Sequence, residues 1–336
     1  RGLGKVYKRQ VHYLKAMIKE EVKDEHNELR DYVDDMVLFK EGDTEEESIE
    51  GLYTDLVQAK DKLTDAGQWL NDGKEQIFCQ TKNGTKIWKI KFSEYKGRIG
   101  QAVVDLGITL RTHHEKSINK PKRVDDTVKV VRRIQSLGFS VRDKINIIKI
   151  AGQSRATYGA AVDPFTVAQI NVLRAKCTQA LWPKKYTACR TVGMLIADKV
   201  EIEPGINVIK KVLVSWIRQV EGGLHPATED NWEKLGVHTG GTRGPVNYFR
   251  RVIKQLGWKD NSPTNITDHK GITRDLQDWP DFVYDGIKRA RQLAWIKSAK
   301  NRQNYKGIDR GVDEDTTKKH YLKLSQKDPM KAGALH

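Results

Sequence analysis

The sequence predicts an α+β chain, in which a mixed strand and helix part ends near residue 118 and gives way to an all-helical remainder. Three observations predict this. Short apolar runs broken by turn residues occupy the first third, around Tyr32-Val33-Asp34-Asp35 and Asn83-Gly84. A strongly amphipathic helical repeat lies between those two turns. From about Asn119, apolar residues recur every three or four positions, with glycine and proline as breaks.

Residues 1–28 read as a polar helix whose stripe Val11, Leu14, Ile18 and Val22 packs on a sheet. Leu29 to Phe39 reads as strand, turn, strand, with Asp34 and Asp35 at or near the turn, where their oxygens face solvent or metal. Six of the ten residues from Glu41 to Glu50 are acidic, a solvated turn leading into a helix, and Thr44 followed by Glu47 fits a capping box. Ile49, Leu52, Leu56, Ala59, Leu63 and Ala66 then form one apolar face, closed by Gly67. Ile77-Phe78-Cys79 and Ile87 to Phe92 flank Asn83-Gly84, which predicts a β-hairpin. A second extended pair, Gln101 to Val104 and Leu106 to Leu110, pivots at Asp105.

Helices follow near 122–137, 141–158, 164–182, 204–220, 244–256 and 281–301, with no strand expected among them. The stretch 221–243, rich in Gly, Thr and His, reads as a linker, and residues after about Gly307 as a disordered tail. This gives a mixed domain at 1–118, a helical domain at 119–220, a helical extension at 221–306 and a tail at 307–336.

The 336 residues, 38% of them hydrophobic, suffice for two or more cores. Lysine and arginine outnumber acidic residues by 60 to 44, a net charge of +16 that favours a polyanionic partner, nucleic acid or an acidic membrane. No apolar run approaches the ~20 residues of a membrane span and no signal peptide opens the chain. The expectation is an intracellular protein, nuclear or cytoplasmic, with no membrane partner. Cys79, Cys177 and Cys189 lie far apart without a C-x-x-C pair, so neither a disulfide framework nor a zinc knuckle is expected. His113-His114 would point to opposite faces of a strand, which suits a surface better than a metal. Phosphate-binding Gly-Lys-Ser/Thr loops and Gly-x-Ser-x-Gly elbows are absent, and no ribonuclease H carboxylate set can be assembled.

Two adjacent carboxylates at a sharp turn between apolar strands suit divalent ions held against nucleotide phosphates. Asp34 is then the direct ligand and Asp35 its neighbour; the competing reading is a β-turn that uses aspartate for turn chemistry. Lys74 precedes the next strand, where an ammonium group near a leaving pyrophosphate acts as general acid; by itself it reads as a surface lysine. Between Arg111 and Arg155 stand twelve basic residues against four acidic ones. Arg132, Arg133, Lys144 and Lys149 are the first candidates there for phosphate contacts, unless they form a merely solvated face. A second basic stretch, Gly286 to Ile308, contains Lys288, Arg289 and Arg291 and no acidic residue. Trp295 and Tyr305 beside it either stack on bases or belong to a core.

The order Tyr32-Val33-Asp34-Asp35, helix, Gly67-x-x-Leu70-Asn71-x-x-Lys74, Leu106-Gly107-Ile108 resembles motifs C, D and E of reverse transcriptases from LINE-type, non-LTR retrotransposons. Arg123, Arg132-Arg133-Ile134, Leu137-Gly138 and Tyr158-Gly159, ahead of Ala180-Leu181-Trp182, are similar to the helical region after the palm. Gly244-Pro245-Val246, Leu256-Gly257-Trp258 and Trp295 resemble the same elements' carboxy-terminal extension. The resemblance implies a partial polymerase palm, an all-α thumb and a helical extension. It further implies Mg2+ or Mn2+ held by Asp34 and Asp35, with Lys74 assisting departure of pyrophosphate. An RNA template, a DNA primer or target DNA, and deoxynucleoside triphosphates are the implied partners. The earlier palm strand with its metal-binding aspartate and the glycine-containing nucleotide-pocket motif do not occur, and only 31 residues precede Tyr32. The chain alone is therefore expected to bind duplex nucleic acid without extending a primer. The alternative is a basic helical module, or a decayed copy, that binds nucleic acid and catalyses nothing.

Overall fold

The computed structural model describes residues 27–32, 35–67, 74–95, 97–105, 108–111, 119–163, 165–182, 189–197, 202–224, 226–237 and 244–301, with Thr316, Lys319 and Lys323 as isolated helical positions. The helix expected at 1–28 lies outside them apart from Asn27 and Glu28, which open a strand. So does the tail expected at 307–336, the three isolated positions excepted. The chain divides into two compact units, residues 1–104 with 110–116 and residues 105–109 with 117–336. No helix among the described residues is long and apolar enough to cross a membrane.

In the first unit, β1 (Asn27–Tyr32) and β2 (Asp35–Lys40) pair antiparallel, with Asn27 opposite Lys40 and Tyr32 opposite Asp35. Helix α1 (Glu45–Asp65) packs on β2 and starts as predicted, with the Thr44 hydroxyl accepting the Glu47 amide at 3.2 Å. Three glutamates in its first turn complement the helix dipole. Ile49, Ala59 and Leu63 are buried, and Asp55 pairs with Lys40 of β2 at 3.9 Å. Strand β3 (Gln76–Phe78) runs parallel to β4 (Arg98–Gly100), and α2 (Lys82–Lys91) makes the crossover that a parallel pair requires. Ile49, Ile77, Cys79 and Trp88 form the core, with Trp88 meeting Tyr53 and Tyr95 edge-on at 6.0 and 5.7 Å.

The hairpin expected at Asn83-Gly84 is thus a helix. Thr81 caps it by accepting the Gly84 amide at 2.9 Å, and Glu45 of α1 accepts hydrogen bonds from the Thr81 hydroxyl and, at 3.0 Å, from the Asn83 amide. Burial of Trp88 fixes the helix on α1, so tertiary contacts override the local turn signal. Strands β5 (Ala102–Asp105) and β6 (Ile108–Arg111) pair as predicted.

The second unit is helical with one small sheet. Helix α3 (Asn119–Ser136) packs on α6 (Val167–Leu181). Between them, α4 (Val141–Ile147) continues through a π-helical turn, Ile148–Gln153, into α5 (Ser154–Thr157). Val131, Ile134, Ile145, Ile148, Cys177, Leu181 and Met194 of α7 (Arg190–Ala197) share one core cluster. A second cluster joins α8 (Pro204–Glu221) to α9 (Pro226–Val237), α10 (Pro245–Gln255) and α11 (Phe282–Asn301). Trp216 stacks on Phe249 with centroids 4.2 Å apart, and Trp232 of α9 sits beside both.

Two expectations change here. Residues 226–237 of the supposed linker are a helix whose Trp232 is buried in the same core as α8 and α11, so a boundary at 220 would cut that core. And an antiparallel sheet, β7 (Lys259–Asp260), β8 (Asn265–Thr267) and β9 (Thr273–Asp275), interrupts the helices where no strand was expected. Its strands are two or three residues long and mostly polar, too short to show an alternation.

Candidate functional site

The β1–β2 register places Asp35 opposite Tyr32, which leaves Val33-Asp34 as the two residues joining the strands. Asp34 itself lies outside the described residues, while Asp35 opens β2. Neighbouring aspartates offer hard oxygen donors, the ligand chemistry that Mg2+ and Mn2+ take. Among the described residues no group of three or more His, Cys, Asp or Glu side chains is placed to hold a metal. Lys74 is exposed just ahead of β3.

Behind the hairpin, α1 and α2 are laced by carboxylates. Lys91 pairs with both Glu46 and Glu50, and Tyr53 donates to Glu94 at 2.7 Å. The Thr81 hydrogen bond above all, helped by those of Asn83 and Gly84, holds the Glu45 carboxyl below its ordinary pKa against the opposing effect of burial. Helix α1, braced in this way by α2, is the helix that packs on β2.

The predicted basic residues divide by environment. Arg132 and Arg133 are exposed on α3, in an outward stripe with Lys122, Asp125 and Lys129, while Val124, Val131 and Ile134 face inward. Lys144 departs from expectation: it is only 7% exposed, and its ammonium donates to the Gln135 carbonyl at 3.2 Å near the end of α3. Burial lowers its pKa. It serves as a helix C-terminal cap rather than as an outward cation. Lys149 is half-buried in the π-helical turn. On α11, Lys288 is exposed one turn after Tyr284, itself 64% exposed. Arg289 is directed inward, donating to the Leu256 carbonyl at 3.1 Å and to Gln292 at 2.7 Å, and Arg291 is half-buried. Trp295 is a core residue.

Further outward cations were not singled out from the sequence. Arg142, Asn146, Ile150, Ser154 and Tyr158 recur every four residues along α4, the π-helical turn and α5, all exposed, with Arg155 beside them. Ile150 is 76% and Tyr158 50% exposed, so apolar surface lies between the two arginines. The four-residue spacing was available in the sequence, but the π-helical turn that shifts its register was not. Arg123, by contrast, is an internal staple: it donates to the Tyr158 carbonyl and lies 3.7 Å from Asp163, which also pairs with Lys120 at 3.1 Å.

No family model matches this chain, and no curated protein or solved structure is significantly similar to it.

Proposed function

We propose that the chain carries the catalytic hairpin and the nucleic-acid-gripping helices of an RNA-directed DNA polymerase of the non-LTR retrotransposon kind. The observation that carries this reading is the hairpin register, Tyr32 against Asp35 across Val33-Asp34, with α1 packed directly on β2. A Tyr-x-Asp-Asp sequence between two paired strands, with a helix packed on the second, supports this reading because a polymerase uses paired carboxylates at such a strand connection. Asp34 and Asp35 would hold Mg2+ or Mn2+, which when bound activates the attacking 3′-hydroxyl and neutralises the triphosphate. Lys74, exposed ahead of β3, donates a proton to the departing pyrophosphate. Arg132, Arg133, Arg142 and Arg155 contact the phosphates of the primer–template duplex and position it without reading its sequence.

The second reading, a basic module that binds nucleic acid without catalysis, draws on the same outward arginines. An RNA–DNA hybrid titrated at rising salt tests what the two share, and both expect a steep loss of affinity. The coding sequence upstream of Arg1 separates them. Polymerisation expects an in-frame aspartate-bearing strand and a glycine-containing pocket motif there; unrelated sequence rejects it.

A further inference from the structure

A cavity of about 210 Å³ opens in the first unit beside α1. Tyr53, Leu56, Val57 and Lys60, a single stripe along α1, line it together with Glu75 ahead of β3 and Glu94 and Tyr95 beyond α2. Sites for drug-sized ligands hold about 300–1,000 Å³. This one therefore takes a ligand of a few heavy atoms and not a nucleotide.

Its aromatic walls are fixed from behind. The Tyr53 ring stacks on Phe92 with centroids 3.8 Å apart, and the buried Trp88 meets both tyrosines edge-on. Gly97 makes room for Tyr95, because a Cβ at that position would collide with the tyrosine ring and hydroxyl. The charges on the lining do not balance. Lys60 pairs with Glu75 at 2.8 Å, and its ammonium lies 5.8 Å from the centre of the Tyr95 ring, within cation–π range. Glu94 accepts the Tyr53 hydroxyl at 2.7 Å and forms no ion pair among the described residues. That hydrogen bond above all holds the Glu94 carboxyl below its ordinary pKa, so it is ionised at neutral pH. Two carboxylates against one ammonium leave the cavity negative, opposite in sign to the +16 of the whole chain.

We propose that this cavity binds a small alkylammonium ion, its charge beside Glu94 and the Tyr53 and Tyr95 rings and its alkyl groups on Leu56 and Val57. Aromatic faces attract an ammonium that has shed water, and the carboxylate supplies the counter-charge. The aliphatic pair from α1 suits methyl or methylene groups. A phosphate or other anion is disfavoured by the same charge balance. A free amine and a lysine side chain on another polypeptide present the same group. The site uses none of Asp34, Asp35 and Lys74, so the inference stands whether or not the chain polymerises.

The test is isothermal titration calorimetry of the full chain with three probes. These are choline, its uncharged isostere in which a tert-butyl group replaces the trimethylammonium, and N-acetyl trimethyl-lysine methylamide. At least one of the two cations is expected to bind with a Kd below about 1 mM. The isostere should bind at least about 10-fold more weakly than that cation. Whichever cation binds more tightly identifies the source, free amine or lysine side chain. Glu94→Gln, a change at an exposed position, should weaken the cation about 10-fold while leaving the isostere within about 2-fold. Tyr95→Leu should weaken the cation as well, with circular dichroism to show that it folds; if it does not fold, Glu94→Gln decides alone. No cation bound below about 1 mM, isostere and cation bound alike, or cation binding indifferent to Glu94→Gln overturns the proposal.

Discussion

The carboxylate of Glu203 is fully buried, accepts the Ile206 amide at 2.6 Å to cap α8, and pairs with Arg174 of α6. Removing one partner of such a pair strands the other's charge, so Glu203→Ala should destabilise the helical unit by about 3–5 kcal/mol in urea titration. Arg132→Ala, a solvent-exposed change, should stay within about 0.5 kcal/mol. Cys177 offers a pH-dependent counterpart. Burial pushes its thiol from an ordinary 9.0 to about 12, outweighing the Gln153 hydrogen bond, so the folded state holds that proton more tightly than the unfolded state. The thiol's contribution is whole below pH 9 and is lost as pH rises from there toward 12. The stability advantage of wild type over Cys177→Ala should accordingly narrow between pH 8 and pH 10.5; an advantage constant across that range contradicts the assignment. The individual roles of Lys144 and Arg289 were not legible in the sequence. Both sit in basic stretches, and only packing shows that each donates to a backbone carbonyl.

Elements with a long amphipathic repeat were legible: α1, α3, α6, α8, α10 and α11 fall within a few residues of expectation. The Tyr32–Asp35 hairpin was legible too, because apolar runs flank its turn. What failed did so for physical reasons. Asn83-Gly84 has strong turn chemistry, but Thr81 and Glu45 give its amides helical partners. That cap can be tested directly: Thr81→Ala should cost about 1 kcal/mol in the stability of the first unit, and an unchanged midpoint would deny the cap its role. Helix α9 was hidden by a Gly- and Thr-rich flank, although Trp232 hinted at a core. The strands β7 to β9 were hidden by their brevity.

At the scale of the whole molecule, a hairpin-bearing mixed unit and a basic helical unit share one chain. If the α3 stripe meets phosphates, Arg132→Glu with Arg133→Glu should lower affinity for an RNA–DNA hybrid and reduce the magnitude of the log–log salt slope by about two. An unchanged slope would move the contact elsewhere. The central claim is that Asp34 and Asp35 form part of a polymerase metal centre. Its most direct test is Mg2+-dependent primer extension on an RNA template by the polypeptide read from the whole open reading frame that contains this sequence. Wild type should add deoxynucleotides. Asp34→Ala should lose more than about 100-fold, beyond the 10–100-fold typical of a residue that only supports a ligand, and Asp35→Asn should fall within that lesser range. Extension by Asp34→Ala at the wild-type rate would contradict the account.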